Sequence, residues 1–127
     1  MKFTATIKIL IFVLIGLFTQ FSMAADNGSA LSDIAGVVAE MNHFPSGADK
    51  GKLMMLSEDD SLAQGIRDMA STVANIQHFA NDEGKEAMAR IIANEQAPDR
   101  AKTLARIIAG FLHIVSAEDK ATLEAML

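Results

Sequence analysis

The residues best able to do chemistry are three histidines, the only ones in the chain, at His43, His78 and His113, separated by 35 residues each time. Imidazole binds zinc, copper or nickel, accepts and donates hydrogen bonds, and exchanges protons near neutral pH. Three imidazoles in register therefore offer one sharp reading, a metal site; one plain reading, a corner that each copy locks by a bond from the ring to a backbone carbonyl or to the next corner; and a third, pH sensing or proton transfer by a histidine at a helix end.

The register extends well beyond the histidines. IAGVVAEMNHFPSGADKGKLMML from Ile34, MASTVANIQHFANDEGKEAMARI from Met69 and LARIIAGFLHIVSAEDKATLEAM from Leu104 are three renderings of one pattern. Four columns are constant: Ala35, Ala70 and Ala105; Ala39, Ala74 and Ala109; the histidines; and Lys50, Lys85 and Lys120. A period of this length is typical of helical repeats, in which each unit buries its apolar face against its neighbours. The predicted fold class is all-α: three tandem 35-residue helix-turn-helix (αα-hairpin) repeats, forming a short α-solenoid or a compact six-helix bundle. The Trp, Gly and Tyr signature of tetratricopeptide repeats is missing, and the chain has no Trp or Tyr at all.

Within each copy, Ile34, Val37, Val38 and Met41 follow the i, i+3, i+4, i+7 spacing of an amphipathic helix, as do Met69, Thr72, Val73, Ile76 and Leu104, Ile107, Ile108, Phe111. The constant alanines and the histidine continue at i, i+4, i+8. This predicts a small-residue seam with each histidine at the C-terminal end of its helix, facing the negative end of the helix dipole. Corners follow at Phe44-Pro45-Ser46, Phe79-Ala80-Asn81 and Ile114-Val115-Ser116, each ending on a strong N-cap residue. Second helices then bury Leu53 and Leu56, Met88 and Ile91, and Leu123 and Met126. The predicted helices span 32–43, 47–56, 58–79, 82–94, 98–114 and 117–127, with Ser57 to Asp60 as a cap and acidic first turn. Ser29 or Ser32 caps the first of them.

Residues 1–24 have a basic start, an apolar run from Ile9 to Phe18 that is short for a membrane span, and small residues before Ala25. This is the layout of a cleaved secretory signal peptide. Residues 25–31 read as a flexible lead-in, and 32–127 as a single helical-repeat domain. The expected destination is outside the cytoplasm, in a periplasm or beyond the cell. Cleavage removes Lys2 and Lys8, so 11 basic residues become 9 against 16 acidic ones, a net charge of −7. That balance, without Trp or Tyr, argues against nucleic acid and against an anionic membrane surface. No cysteine is present, so disulfides and thiolate metal sites are excluded.

In a linear stack, equivalent points on packed helices lie about 8–10 Å apart. The outer histidines would then be near 20 Å apart, too far to share one ion with bonds of about 2 Å. The stack therefore favours the plain reading, with a metal held by His43, His78 and His113 only if the repeats curl. Pairs of histidines completed by Glu83 or Glu118 are a further arrangement. Met54 and Met55 could serve copper(I) as thioethers, whereas Met41, Met69, Met88 and Met126 fall in columns of core residues. No catalytic residue is assigned. Ser46 and Ser116 lie three residues from a histidine, but they are committed to capping, and no Gly-rich phosphate loop or H-E-x-x-H motif occurs. The lysine column reads as a solvated face or as a basic row for an acidic partner. The expected function is an exported, non-enzymatic module that binds a protein or peptide, without a cofactor. The alternative is a periplasmic metal-binding protein using the repeated histidines.

Overall fold

The computed structural model describes residues 25–127, so the expected signal segment lies outside the described residues. Six helices follow in order: α1 (Ala25–Glu40), α2 (Gly47–Ser57), α3 (Gln64–Ala74), α4 (Asp82–Ala93), α5 (Asp99–Ala109) and α6 (Ala117–Glu124). Among the described residues there is no strand, and the helices pack on one another through one apolar core.

The second helices start where the caps predict. The Ser46 hydroxyl accepts the backbone N–H of Asp49, Asn81 Oδ1 accepts that of Gly84, and the Ser116 hydroxyl accepts that of Asp119. Each bond satisfies one of the amide groups that a helix start leaves without an internal partner. The apolar columns then fall inward. Ile34, Met69 and Leu104 are fully buried, as are Val38, Val73 and Ile108 one turn on, and Leu53, Met88 and Leu123 in the second helices. Burying side chains of this size stabilises a fold by about 1.5–3 kcal/mol each.

Packing runs in two sets. α1, α3 and α5 all touch one another, and α2 packs on α3, α4 on α5, and α6 back on α1. Ala35, Ala70 and Ala105 are fully buried on the three helices that share the centre. With only a methyl group at these points, three helices can approach one another closely.

Three expectations need correction. Residues 25–31 are not a loose lead-in but the opening turns of α1, with Ala30 and Leu31 buried. Buried Asn27 explains part of this: its Oδ1 accepts the N–H of Ala63, the residue before α3, at 3.1 Å. Ser32 accordingly lies inside α1 instead of capping it, and its hydroxyl donates to the Met126 carbonyl at 2.9 Å. Arg100 of α5 reaches the same place, donating to Ser32 Oγ at 2.6 Å and to the Met126 carbonyl, so one guanidinium joins α5, α1 and the C-terminal end.

The second correction is the start of α3, which is Gln64 and not residue 58. Asp59 is diverted into a local turn, accepting the Ser61 N–H at 3.0 Å and the Ser61 hydroxyl at 2.6 Å. These two bonds hold its carboxyl below the ordinary carboxylate range. Third, α1, α3 and α5 end at Glu40, Ala74 and Ala109, before the histidines.

The middle copy's departure from the cap pattern, Gly84 in place of Asp49 and Asp119, has a steric cause. A Cβ at Gly84 would lie 2.6 Å from Thr72 Cγ2 on α3. Gly84→Ala should therefore lower stability in chemical denaturation by about 1–3 kcal/mol. Adding Thr72→Ser, which removes that methyl, should recover part of the loss; full stability in the single variant would show that α3 and α4 can separate freely.

Candidate metal centre

Each histidine sits on the segment that follows the end of a first helix. The chain leaves the helix, buries one apolar residue (Met41, Ile76 or Phe111), and then turns back sharply. The turn centres on the histidine itself, with φ values of 69° at His43, 72° at His78 and 64° at His113. These are the only non-glycine residues with positive φ among the described residues. Phe44 N–H donates to the Asn42 carbonyl at 2.8 Å and Ile114 N–H to the Leu112 carbonyl at 2.7 Å, so these two corners are three-residue turns around the imidazole-bearing residue.

The three corners meet. His78 N–H donates to the His43 carbonyl at 2.7 Å, His113 N–H to the His78 carbonyl at 2.7 Å, and His43 N–H to the His113 carbonyl at 2.6 Å. Donor and acceptor of each histidine are thus used once, in a closed cycle of three peptide groups. Points 35 and 70 residues apart in sequence share one place in space.

The imidazoles follow the backbone. Ring centroids are 5.1 Å apart for His43 and His78, 4.9 Å for His43 and His113, and 5.2 Å for His78 and His113. One nitrogen from each ring can be chosen so that all three lie within 4.8 Å of one another. The separation of about 20 Å expected of a linear stack is therefore wrong, because the chain curls and does not run on. The helix-dipole placement is also replaced, since each histidine lies beyond its helix in a left-handed turn.

The plain reading asked each ring to bond a backbone carbonyl or the next corner. The backbone cycle already holds the corners, and the rings address one another. His78 Nδ1 and His113 Nδ1 face each other at 3.3 Å, while His43 Nδ1 lies 2.5 Å from Asn42 Oδ1. Asn42 carries an amide oxygen that accepts the Nδ1–H, which leaves the lone pair of His43 Nε2 free to accept a proton or bind a metal. Two ring nitrogens facing at 3.3 Å either share one proton or present two lone pairs to a cation between them. Two ligands on tetrahedral bonds of 2.0–2.1 Å stand about 3.3 Å apart, so the His78 to His113 spacing matches such a centre.

His78 and His113 are exposed and His43 is half-buried, so the cluster opens to solvent on one side. Among the described residues no carboxylate joins it. Glu83 lines a separate polar hollow beside Asp68 and Arg90, so the arrangement of paired histidines closed by an acidic residue is not what this region forms. Met54 and Met55 are exposed on α2, whereas Met41, Met69 and Met88 are buried in the core. Sequence reasoning missed the turn conformation. The residue after the constant alanine, Asn75 in one copy and Gly110 in another, signalled the helix end, since Asn and Gly commonly end helices, but with φ of −99° and −93° neither takes the left-handed conformation that the histidines adopt.

Comparison with protein-family models, curated proteins and solved structures gave no match for this chain. The geometry alone therefore carries the site. A residue held at positive φ costs about 1–2 kcal/mol unless it is glycine. His78→Gly should accordingly be more stable to denaturant than His78→Ala by about 1 kcal/mol. Equal stabilities would show that the turn carries no strain.

Proposed function

We propose that the chain is an exported metal-binding protein, in which three 35-residue hairpins close into a ring so that His43, His78 and His113 hold one divalent transition-metal ion. The observation that supports this most directly is the convergence of three imidazoles on a backbone cycle that a purely structural role would not require of histidine. Glycine or asparagine would fill a left-handed turn at lower cost. Strained backbone held in place by its surroundings is characteristic of functional sites.

The donor set narrows the ion. Three neutral imidazoles without thiolate or carboxylate suit zinc, copper or nickel in preference to magnesium or calcium, which take oxygen ligands. Three protein ligands also leave a fourth position for water or for a group on a receiving molecule. With two of the rings exposed, that position faces solvent, which suits an ion that is bound and passed on. The N-terminal segment supports an exported address, and no helix of the described residues is long and apolar enough to cross a membrane.

The interaction-module reading draws on a different observation. Phe44, Phe79 and Ile114, the residues directly after the histidines, are 60%, 51% and 60% exposed, and Leu112 is exposed beside them. Large apolar side chains grouped around one point of the surface suit a protein or peptide contact. Such a partner would bind equally well in the presence of a chelator.

Zinc titration by calorimetry on the purified protein separates these readings. One ion per chain is expected. His78→Gly should weaken binding by more than the roughly 10–100-fold that loss of an outer-shell partner costs. Unchanged zinc binding after all three histidines become glycine would overturn the metal reading, as would the absence of any binding by the unaltered protein.

A further inference from the structure

The three constant lysines stand at the same point of their hairpins, yet their surroundings differ. Lys120 Nζ lies 3.6 Å from Glu40 Oε1, an ion pair between α6 and the end of α1. At the position of Glu40 the second copy has Asn75 and the third has Gly110, so neither other lysine can form that pair. Lys85 lies over the Phe79 ring, 5.4 Å from its centroid, where the ring face attracts a cation. Lys50 has no carboxylate within 4.0 Å among the described residues. Lys50 instead lines a cleft.

That cleft lies between the first and second hairpins. It has a volume of about 390 Å³, against about 220 Å³ for the matching hollow at Glu40 and Lys120. Phe44, Pro45 and Ile76 supply apolar wall, and Lys50, Asn75 and Gln77 supply polar groups. Pro45 and Ile76 are buried, so the wall is part of the packed fold. The volume lies within the range of small-molecule sites, which combine a mostly apolar lining with a few polar groups that orient the ligand.

We infer that this cleft binds a small carboxylic acid with an apolar body, its carboxylate on the Lys50 ammonium where the third hairpin's lysine instead meets Glu40. The comparison between hollows carries the assignment. In one, the protein supplies the carboxylate itself; in the other, an amide replaces it and the space enlarges. Asn75 Nδ2 already donates one N–H to the Ser71 carbonyl at 2.8 Å, and Gln77 carries amide N–H groups that can complete the carboxylate's hydrogen bonds. Phe44, Pro45 and Ile76 receive the apolar remainder. The site does not require a metal at the histidines, although His78 stands at its edge.

The test is an NMR titration of uniformly ¹⁵N-labelled protein with hexanoate and, separately, with hexan-1-ol, in the presence of a chelator so that carboxylate binding to metal cannot contribute. Hexanoate should shift the amide signals of residues 74–78 and of Lys50, and should bind at least roughly tenfold more tightly than the alcohol. Asn75→Glu, which rebuilds the Glu40 arrangement beside Lys50, should weaken hexanoate by a similar factor, as should Lys50→Gln. Lys120→Gln should leave it unchanged. Equal binding of acid and alcohol, full hexanoate binding by Asn75→Glu, shifts centred on Lys120, or no saturable shift at all would each overturn the assignment.

Discussion

Everything at the centre of this molecule depends on a cycle of three backbone hydrogen bonds, His43 to His113, His78 to His43 and His113 to His78. A peptide hydrogen bond contributes about 0.5–1.5 kcal/mol net, and a non-glycine residue in a left-handed turn costs about 1–2 kcal/mol. The two are close to balance at each corner, so the cycle cannot hold itself together. It is held by the helices that deliver it. α1, α3 and α5 pack on one another, each with a fully buried alanine, Ala35, Ala70 and Ala105, and they release their chains toward one point. The seam of small residues thus sets how close the corners come, and the corners set how close the imidazoles come.

Closure has to be secured elsewhere as well, because the first and last hairpins are joined by no connecting chain. α6 packs on α1, and Arg100 reaches both Ser32 and the Met126 carbonyl. Asn27 ties the start of α1 to the entry of α3. These contacts recruit residues, Asn27, Ser32 and Arg100, that have no like residue 35 positions away. They also explain why polar, Gly-containing residues 25–31 are helical when local propensity suggests a loose segment.

Much of the fold was legible in the amino-acid pattern and much of the site was not, for a physical reason. Hydrophobic spacing and cap residues are local, so Ser46, Asn81 and Ser116 marked the second helices, and the columns headed by Ile34 and Leu53 marked the core. The rotation from one hairpin to the next is not local. It depends on side-chain volumes at seams between distant segments, and without it the same 35-residue period fits an open stack with histidines about 20 Å apart or a closed cycle with rings 4.9 Å apart. The i+8 spacing of histidine from the first constant alanine was misleading for a related reason, because the helix ends at Ala74 and Ala109 and the pattern runs on past it.

The proposed site follows from these constraints. A single chain brings three imidazoles together on strained but fixed backbone, with one amide side chain, Asn42, orienting the first ring; the His78 and His113 nitrogens already stand 3.3 Å apart, and taking up an ion requires the third ring to draw in from a spread of up to 4.8 Å. The most direct measurement is X-ray absorption at the metal edge of the zinc-loaded protein, since it counts the ligands around the ion itself. Three imidazole nitrogens at about 2.0–2.1 Å, with one further light atom, are expected. A spectrum dominated by carboxylate oxygen, or showing a single imidazole per ion, would contradict a three-histidine centre.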